Sequence, residues 1–455
     1  MKRDYYLWLT GTTADQFANS IRSLVLPIIV VAITGSVTAA GTLEATSKVI
    51  FAVLALFGGV LVDRIDRRTG IYARAAIGCL VWLAATILLA IGQLTYPVLF
   101  SLVVIATLTE AMFGFADDAA LRSIVTEDRA FASAQSVIQA RRAIISLLGG
   151  PVGGLLYAAF SWLPFGVTAG ALALLGTTAV LIKTNLSADV GVTAPASEGA
   201  VEDNQAREDE CESDADELRD AGAVGSSSDA SEEVKAEEKK GSVSQGIVSV
   251  WKDLAEGFKL VFSDAVKRPI ALVSAIMGFS STLMMTLVIY RLIQLEYTAF
   301  QISLVEVAAA IGMFIGAPAS GILMRKVPTG RLVIAILAVI SFDFFAFALA
   351  PSYNFLFIWF AVYGLCMPIV SAPMLGYFYA RTPQNMQGRS AAIMTVAGMG
   401  LAAFAPVVSG ILVSSNKQIP GLLGGAILMS ISALILLSSP KVRQIGLPEA
   451  WSSNS

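Results

Sequence analysis

The chain has 455 residues, 56% hydrophobic and only 14% charged, with a formal net charge of −3. Water-soluble domains carry about 25% charged residues, so this composition excludes an ordinary soluble globular protein. There is no histidine, which removes imidazole metal ligands, general bases and proton relays. The three cysteines, Cys79, Cys211 and Cys366, show neither metal-ligand nor disulfide spacing.

Apolar runs of about 20 residues recur, long enough to cross a hydrocarbon core of about 30 Å. They are continuous rather than alternating, which predicts membrane helices and not barrel strands. Twelve spans are predicted: 6–33, 41–62, 71–92, 96–118, 133–160, 163–184, 270–294, 301–324, 331–350, 353–380, 389–414 and 419–439. The N-terminal stretch lacks an apolar h-region and a small-residue cleavage site, so it reads as the start of a retained helix.

In the first span Thr12, Asp15, Asn19 and Arg22 share one helical face. A charge at bilayer depth costs about 2.5–3.5 kcal/mol on insertion scales and therefore faces a cavity or a partner. Two readings stand: a buried ion pair, or a carboxylate at Asp15 that exchanges protons or binds substrate while Arg22 tunes it. The second and third spans are joined by GGVLVDRIDRRTG, residues 58–70. The fourth span carries Glu110 four residues before Gly114; it is read either as a proton-exchanging carboxylate or as a partner of Arg22 or Arg142. In the fifth, Gln135, Gln139, Arg142 and Ser146 share a face, although Arg141 and Arg142 can equally snorkel to the interface. Farther along, Gly149, Gly150, Pro151, Gly153 and Gly154 let helices approach closely and bend.

The segment 187–244 has dense acid and no aromatic residue. It cannot bury enough apolar surface to fold alone and reads as a disordered linker. Four parts follow: a six-helix bundle over 1–186, the acidic linker 187–244, an interfacial amphipathic helix 245–268, and a second six-helix bundle over 269–455. The interfacial helix places Trp251, Leu254, Phe258 and Val261 on one face. In the second bundle Arg291, Glu306 and Asp343 lie toward the outer side, where Arg291 is expected to pair with Glu306. Met284, Met285, Tyr290, Tyr363, Met367, Tyr377 and Tyr379 either pack or line an adaptable apolar pocket.

Lys and Arg placement gives the orientation. One side receives Lys2 and Arg3, the group Arg64, Arg67, Arg68 and Arg74, then Arg122, Arg129, Arg325, Lys326, Arg331, Arg381, Arg389, Lys441 and Arg443. The other receives Lys417. The positive-inside rule then predicts cytoplasmic termini and a cytoplasmic linker. The halves echo each other. Gly59-Val-Leu61-Val-Asp63-Arg64 after the second span corresponds to Gly321-Ile-Leu323-Met-Arg325-Lys326 after the eighth. Pro151 and Gly154 of the fifth correspond to Pro406 and Gly410 of the eleventh. Such echoes point to a parallel repeat.

The bridge Gly59, Leu61, Asp63, Arg64, Arg67 and Arg68 resembles the G-x-L-x-D-R-x-G-R-R signature of the major facilitator superfamily, with Asp66 where the family prefers Gly. Asp15-Gln16, Thr34-Gly35-Ser36 and GGPVGGLLY at 149–157 are most similar to its macrolide-efflux and siderophore-exporter branch. The resemblance implies an all-α membrane fold of about twelve helices in two six-helix pseudo-repeats. It also implies a gate: Asp63 facing the start of the eleventh helix, and Arg64 and Arg67 holding acids near the end of the fourth, for which Asp117 and Asp118 are candidates. Arg68 and Arg74 are explained by the positive-inside rule alone. Family drug–proton antiporters carry Arg-x-x-x-Gly in the fourth helix, and Glu110 stands where that Arg would be.

The chain is therefore read as a plasma-membrane secondary transporter, not an enzyme. It is expected to export amphipathic small molecules of drug, macrolide or siderophore type by alternating access. A proton gradient is its energy source, with Asp15 and Glu110 sharing the coupling and Arg22 shifting with protonation. No cofactor, metal or nucleic acid is expected, and a monomer in the lipid bilayer is the expected form. No G-x-x-x-x-G-K-[ST] segment is present for ATP hydrolysis. The alternatives are an importer or facilitator of a metabolite, and a receptor signalling through the acidic linker.

Overall fold

In the computed structural model the described residues are 2–62, 67–114, 116, 117, 120, 128–182, 259, 262–264, 266–349, 352–382, 394 and 397–451, excepting the side chains of 2, 55–62, 67, 128–136, 139, 140, 143, 379 and 450. Met1–Ala188 and Gly246–Ser455 form one compact unit. Among the described residues its regular structure is all helix. The first half contains α1 (Lys2–Thr34), α2 (Val37–Val62), α3 (Arg67–Ala90), α4 (Tyr96–Phe113), α5 (Asp128–Ala159) and α6 (Leu163–Leu181). The second contains α7 (Lys267–Gln294), α8 (Ala299–Lys326), α9 (Thr329–Leu349), α10 (Tyr353–Ala380), α11 (Ala405–Ser414, preceded by a 3₁₀ turn at Ala402–Phe404) and α12 (Gln418–Ser438). Each predicted span finds its helix. Among the described residues eleven helical stretches are long and apolar enough to cross a membrane, the one that ends in α11 running from Ala397 to Ser414, while the apolar part of α5, Ile144–Ala159, is shorter.

The helices are apolar on their outer as well as inner faces. Leu80, Phe314, Phe342 and Leu349 are 66–78% exposed. Water would penalise such a surface, whereas hydrocarbon accepts it because a helix satisfies its own backbone. The helices are joined by tight turns at the end of the bundle where α1 meets α2. After α3, Gly92 takes φ +71° and the Gln93 amide closes on Leu88 O at 2.9 Å. The same turn follows α7, with Glu296 at φ 60° and the Tyr297 amide on Leu292 O at 3.0 Å. It recurs after α11, with Asn416 at φ 55° and the Lys417 amide on Leu412 O at 2.8 Å. Each satisfies carbonyls left open at a helix C-terminus. At the start of α8, Thr298 and Gln301 form a capping box.

Packing repeats with an offset of six helices. In the first half α1 packs on α5 and α6, α2 on α4, and α3 on α6. In the second α7 packs on α11 and α12, α8 on α10, and α9 on α12. The halves meet along two seams that obey the same offset, α5 with α8 and α11 with α2. Both seams tighten at the end carrying the α1–α2 turn. A Cβ on Gly41 would strike the Pro406 carbonyl oxygen, and one on Gly410 would lie 2.8 Å from Thr38 Cα. The Thr38 hydroxyl donates to Gly410 O at 3.1 Å and lies 2.6 Å from Ser414 Oγ. On the other seam a Cβ on Gly154 would come within 2.7 Å of the Phe300 amide nitrogen. These glycines act by allowing backbones to touch. The expected bend at Pro151 does not break the helix, because α5 runs continuously through it. The expected interfacial helix over 245–268 lies almost wholly outside the described residues, as does the linker.

Candidate functional site

The polar face of α1 meets α3, α4 and α5 inside the first half. Arg74, on α3, is 9% exposed and bridges two acids. Its Nη2 lies 2.6 Å from Asp15 Oδ2, and its Nη1 pairs with Asp117 Oδ2 just beyond α4. Farther along α1, Arg22 donates to Asn19 Oδ1 at 2.6 Å and faces Glu110 Oε2 at 3.5 Å. Its guanidinium lies 4.7 Å from the Trp82 ring centroid. Arg141 of α5, also 9% exposed, donates to Thr12 Oγ1 at 2.7 Å and to Thr13 Oγ1 at 3.3 Å. The Trp8 indole N–H donates to Asp117 O at 2.9 Å. Four helices are thus tied by charge-assisted contacts, which inside low dielectric are stronger than neutral ones.

Between the halves lies a cavity of about 330 Å³, framed by α1, α2, α7, α8 and α10. Its charged lining is Glu44, Lys48 and Glu306, beside the Tyr290 hydroxyl and those of Ser23, Ser281, Thr282 and Thr286. Lys48 Nζ is 2.7 Å from Glu44 Oε1, and the buried Tyr290 hydroxyl crosses from α7 to donate to Glu44 Oε2 at 2.9 Å. Glu306 points toward α5, where a Cβ on Gly150 would sit 3.2 Å from its Oε2. Met285, Ile289 and Leu24 supply apolar wall. Apolar walls with a few placed polar groups are typical of small-molecule sites.

The sequence-based candidates divide. Asp15, Asn19, Arg22 and Glu110 do gather in the interior, but Asp15 pairs with Arg74 and not with Arg22. Arg74 is the main correction: it is no mere orientation charge but the centre of the network. Its near neighbour Arg68 also has a specific role, donating to Ile182 O at 2.5 Å at the C-terminus of α6. Arg142 is exposed, and Arg141 takes the interior place expected for it. Successive helical residues point about 100° apart, and packing on α1 selects the first. The expected Arg291–Glu306 pair is not formed among the described residues, because Glu306 turns into the cavity beside α5 while Arg291 lines a separate pocket with Leu295, Tyr297 and Gln418. Of the predicted gate, Asp63, Arg64 and Asp118 lie outside the described residues, as do the side chains of Arg67 and, on α5, Gln135 and Gln139, while Gly59 is described only as backbone of α2. Asp117 is within them and serves Arg74. Glu44 and Lys48 are site residues that the sequence-based candidates lack, although a charged i, i+4 pair inside a predicted span is a readable signal.

Comparison with known proteins fits this architecture. Residues 8–406 match the Major Facilitator Superfamily. Among curated proteins none matches. The fold is similar to a bacterial homologue of the iron transporter ferroportin in an inward-facing state, with a TM-score of 0.66 at 11% identity over 98% of this chain and 99% of that one. It is similar to a bacterial homologue of the human lysosomal transporter Spinster, inward-facing and unoccupied, with a TM-score of 0.63 at 12% identity over 96% and 97%. The nucleoside transporter NupG gives 0.60 at 10% identity over 95% and 100%. Identities this low speak for the fold alone. Two six-helix halves with the same internal packing, joined along two equivalent seams, are what the family match requires, and the chain belongs to the Major Facilitator Superfamily, a multi-pass membrane transporter rather than an enzyme.

Proposed function

We propose that the protein is a proton-coupled secondary transporter that exports amphipathic small molecules across the plasma membrane by alternating access, its termini and central linker cytoplasmic. The observation that carries this reading is the cavity between the halves, with apolar walls and the charged cluster Glu44, Lys48 and Glu306. One chain supplies both sides of the cavity, so a monomer is the working unit, and the proton gradient replaces any cofactor. The two seams close at the end opposite the Lys- and Arg-rich loops, and two similar proteins are described as inward-facing. Both support a cavity that faces the cytoplasm in this state. Rocking about the seams would expose it to the other side.

Coupling is assigned by pairing. Asp15 is held by a buried arginine, and a carboxylate in such a bridge has little freedom to take a proton without loss of the bridge. Glu306 has no such cation among the described residues, and Glu110 is 3.5 Å from Arg22 with a side chain 35% exposed. Glu306 therefore carries the coupling proton, with Glu110 and Arg22 responding to it. The reading is tested in proteoliposomes with an imposed pH gradient, following a fluorescent amphipathic drug, a macrolide and a siderophore. Gradient-driven movement in the export direction is expected, unchanged by deletion of residues 201–240. Equilibration that ignores the gradient would make the protein a facilitator, accumulation in the opposite direction an importer.

A further inference from the structure

A second, smaller chamber lies wholly within the second half, among α7, α9 and α10. It adjoins the central cavity, since Ser281, Met285 and Tyr363 line both. Its own volume is about 20 Å³, space for a group the size of one water. Asp343 stands in its wall. This carboxylate is 3% exposed, its Oδ1 has no hydrogen-bond partner, and no lysine or arginine among the described residues pairs with it. The wall around it is aromatic: Phe344 and Tyr363 have ring centroids 5.7 Å apart, and Trp359 completes the lining. The Trp359 indole N–H is also without a partner.

A buried carboxylate oxygen with no hydrogen-bond partner and no paired cation is costly, and an aromatic wall does nothing to offset it unless a cation enters. A compact cation does. An ammonium group donates to the carboxylate and is attracted by ring faces within about 6 Å of their centroids. We infer that this chamber is an organic-cation subsite, in which Asp343 and the faces of Phe344 and Tyr363 take the ammonium head of an amphipathic amine whose apolar body lies in the central cavity. The Trp359 N–H remains to donate to a hydroxyl or ether oxygen next to the amine. This rests on the reading of the central cavity as the substrate site, and it narrows the substrate class from amphipathic molecules in general to protonated amines.

The test is equilibrium binding to the full-length protein in lipid nanodiscs, by calorimetry, with 2-(1-naphthyl)ethylamine and its uncharged counterpart 2-(1-naphthyl)ethanol. Wild type should bind the amine at least about tenfold more tightly than the alcohol. Asp343→Asn should remove that preference and leave alcohol binding within about twofold. Phe344→Leu and Tyr363→Leu keep the carboxylate and should each lower the preference about threefold; they also serve if Asp343→Asn fails to fold. Equal binding of the two probes to wild type, an amine affinity unaltered in Asp343→Asn, or a preference unaltered in both leucine variants would mean that the chamber holds only water, and would overturn the inference. Binding needs neither a gradient nor a direction of transport. Its failure therefore leaves proton-coupled export standing, and a transport failure leaves the subsite standing.

Discussion

The two halves share a helix packing pattern but treat interior charge in opposite ways. In the first half, Arg74 sits between Asp15 and Asp117, and Arg22 faces Glu110. In the second, Asp343 has an unpartnered carboxylate oxygen and Arg291 an unpartnered Nη1, in neighbouring pockets that share Val288 and Phe347. Each charge carries a similar penalty for leaving water. The first half offsets it internally and gains a cross-braced scaffold. The second pairs neither Asp343 nor Arg291 in an ion pair among the described residues and leaves one atom of each without a hydrogen-bond partner, as a site that must accept something from outside would.

The comparison breaks most visibly at Arg74. Arg74→Leu strands two carboxylates at once, and removal of one partner from a buried ion pair costs about 3–5 kcal/mol. The variant should yield little folded protein, or show a sharply lower thermal midpoint in detergent. An unchanged midpoint would mean that the first half is not braced as described. The seams come next. Gly41→Leu forces a side chain against the backbone at Pro406, and overpacking of this kind costs about 1–3 kcal/mol. Because the strain falls between the halves and not within one, the fold should survive while transport falls about tenfold or more. Cysteine accessibility from the α1–α2 end should rise. A variant that transports like wild type would remove the seam from the mechanism.

Substitution of one acid in each half sharpens the contrast. Asp15→Asn should lower stability by about 1–3 kcal/mol, since it weakens a buried charged hydrogen bond. Asp343→Asn should leave stability unchanged or raise it by about 1 kcal/mol, because it removes a buried charge that no cation balances. Equal destabilisation in paired denaturation curves would erase the distinction. The smallest effect is expected at Thr38→Val, which removes the hydroxyl contacts with Gly410 O and Ser414. A loss of about 0.5–1.5 kcal/mol should shift the balance between conformations severalfold with little change in midpoint. A midpoint falling as far as in Asp15→Asn would place Thr38 in the scaffold and not at the seam.

Much of the fold is legible in the sequence because membrane crossing depends on one local property, the length of an apolar run. The repeat is legible too, and its Pro151–Gly154 and Pro406–Gly410 echoes fall on equivalent seam helices. What stays hidden is facing and depth. Arg74 stands near the start of the predicted third span at 71, where a positive charge needs no special reason. The helix begins earlier, at Arg67, and that puts Arg74 two turns deep between α1 and the end of α4. Arg141 and Arg142 are equivalent in composition, and only the position of Thr12 and Thr13 on α1 chooses between them. Glu306 has the sequence position of an outer-side partner for Arg291, and only the approach of α8 to Gly150 of α5 turns it into the cavity. The Glu44–Lys48 pair is different, since its spacing within a predicted span is visible without any packing information.

In the proposed mechanism Glu306 in the cavity, and not the braced Asp15, carries the coupling proton. The most direct measurement is proton movement itself, read by a pH-sensitive dye inside proteoliposomes when a transported amphipathic solute is added. Wild type should move protons with the solute, and Glu306→Gln should bind the solute yet move no protons. Proton movement in Glu306→Gln equal to that of wild type, or solute movement by wild type without protons, would contradict the account.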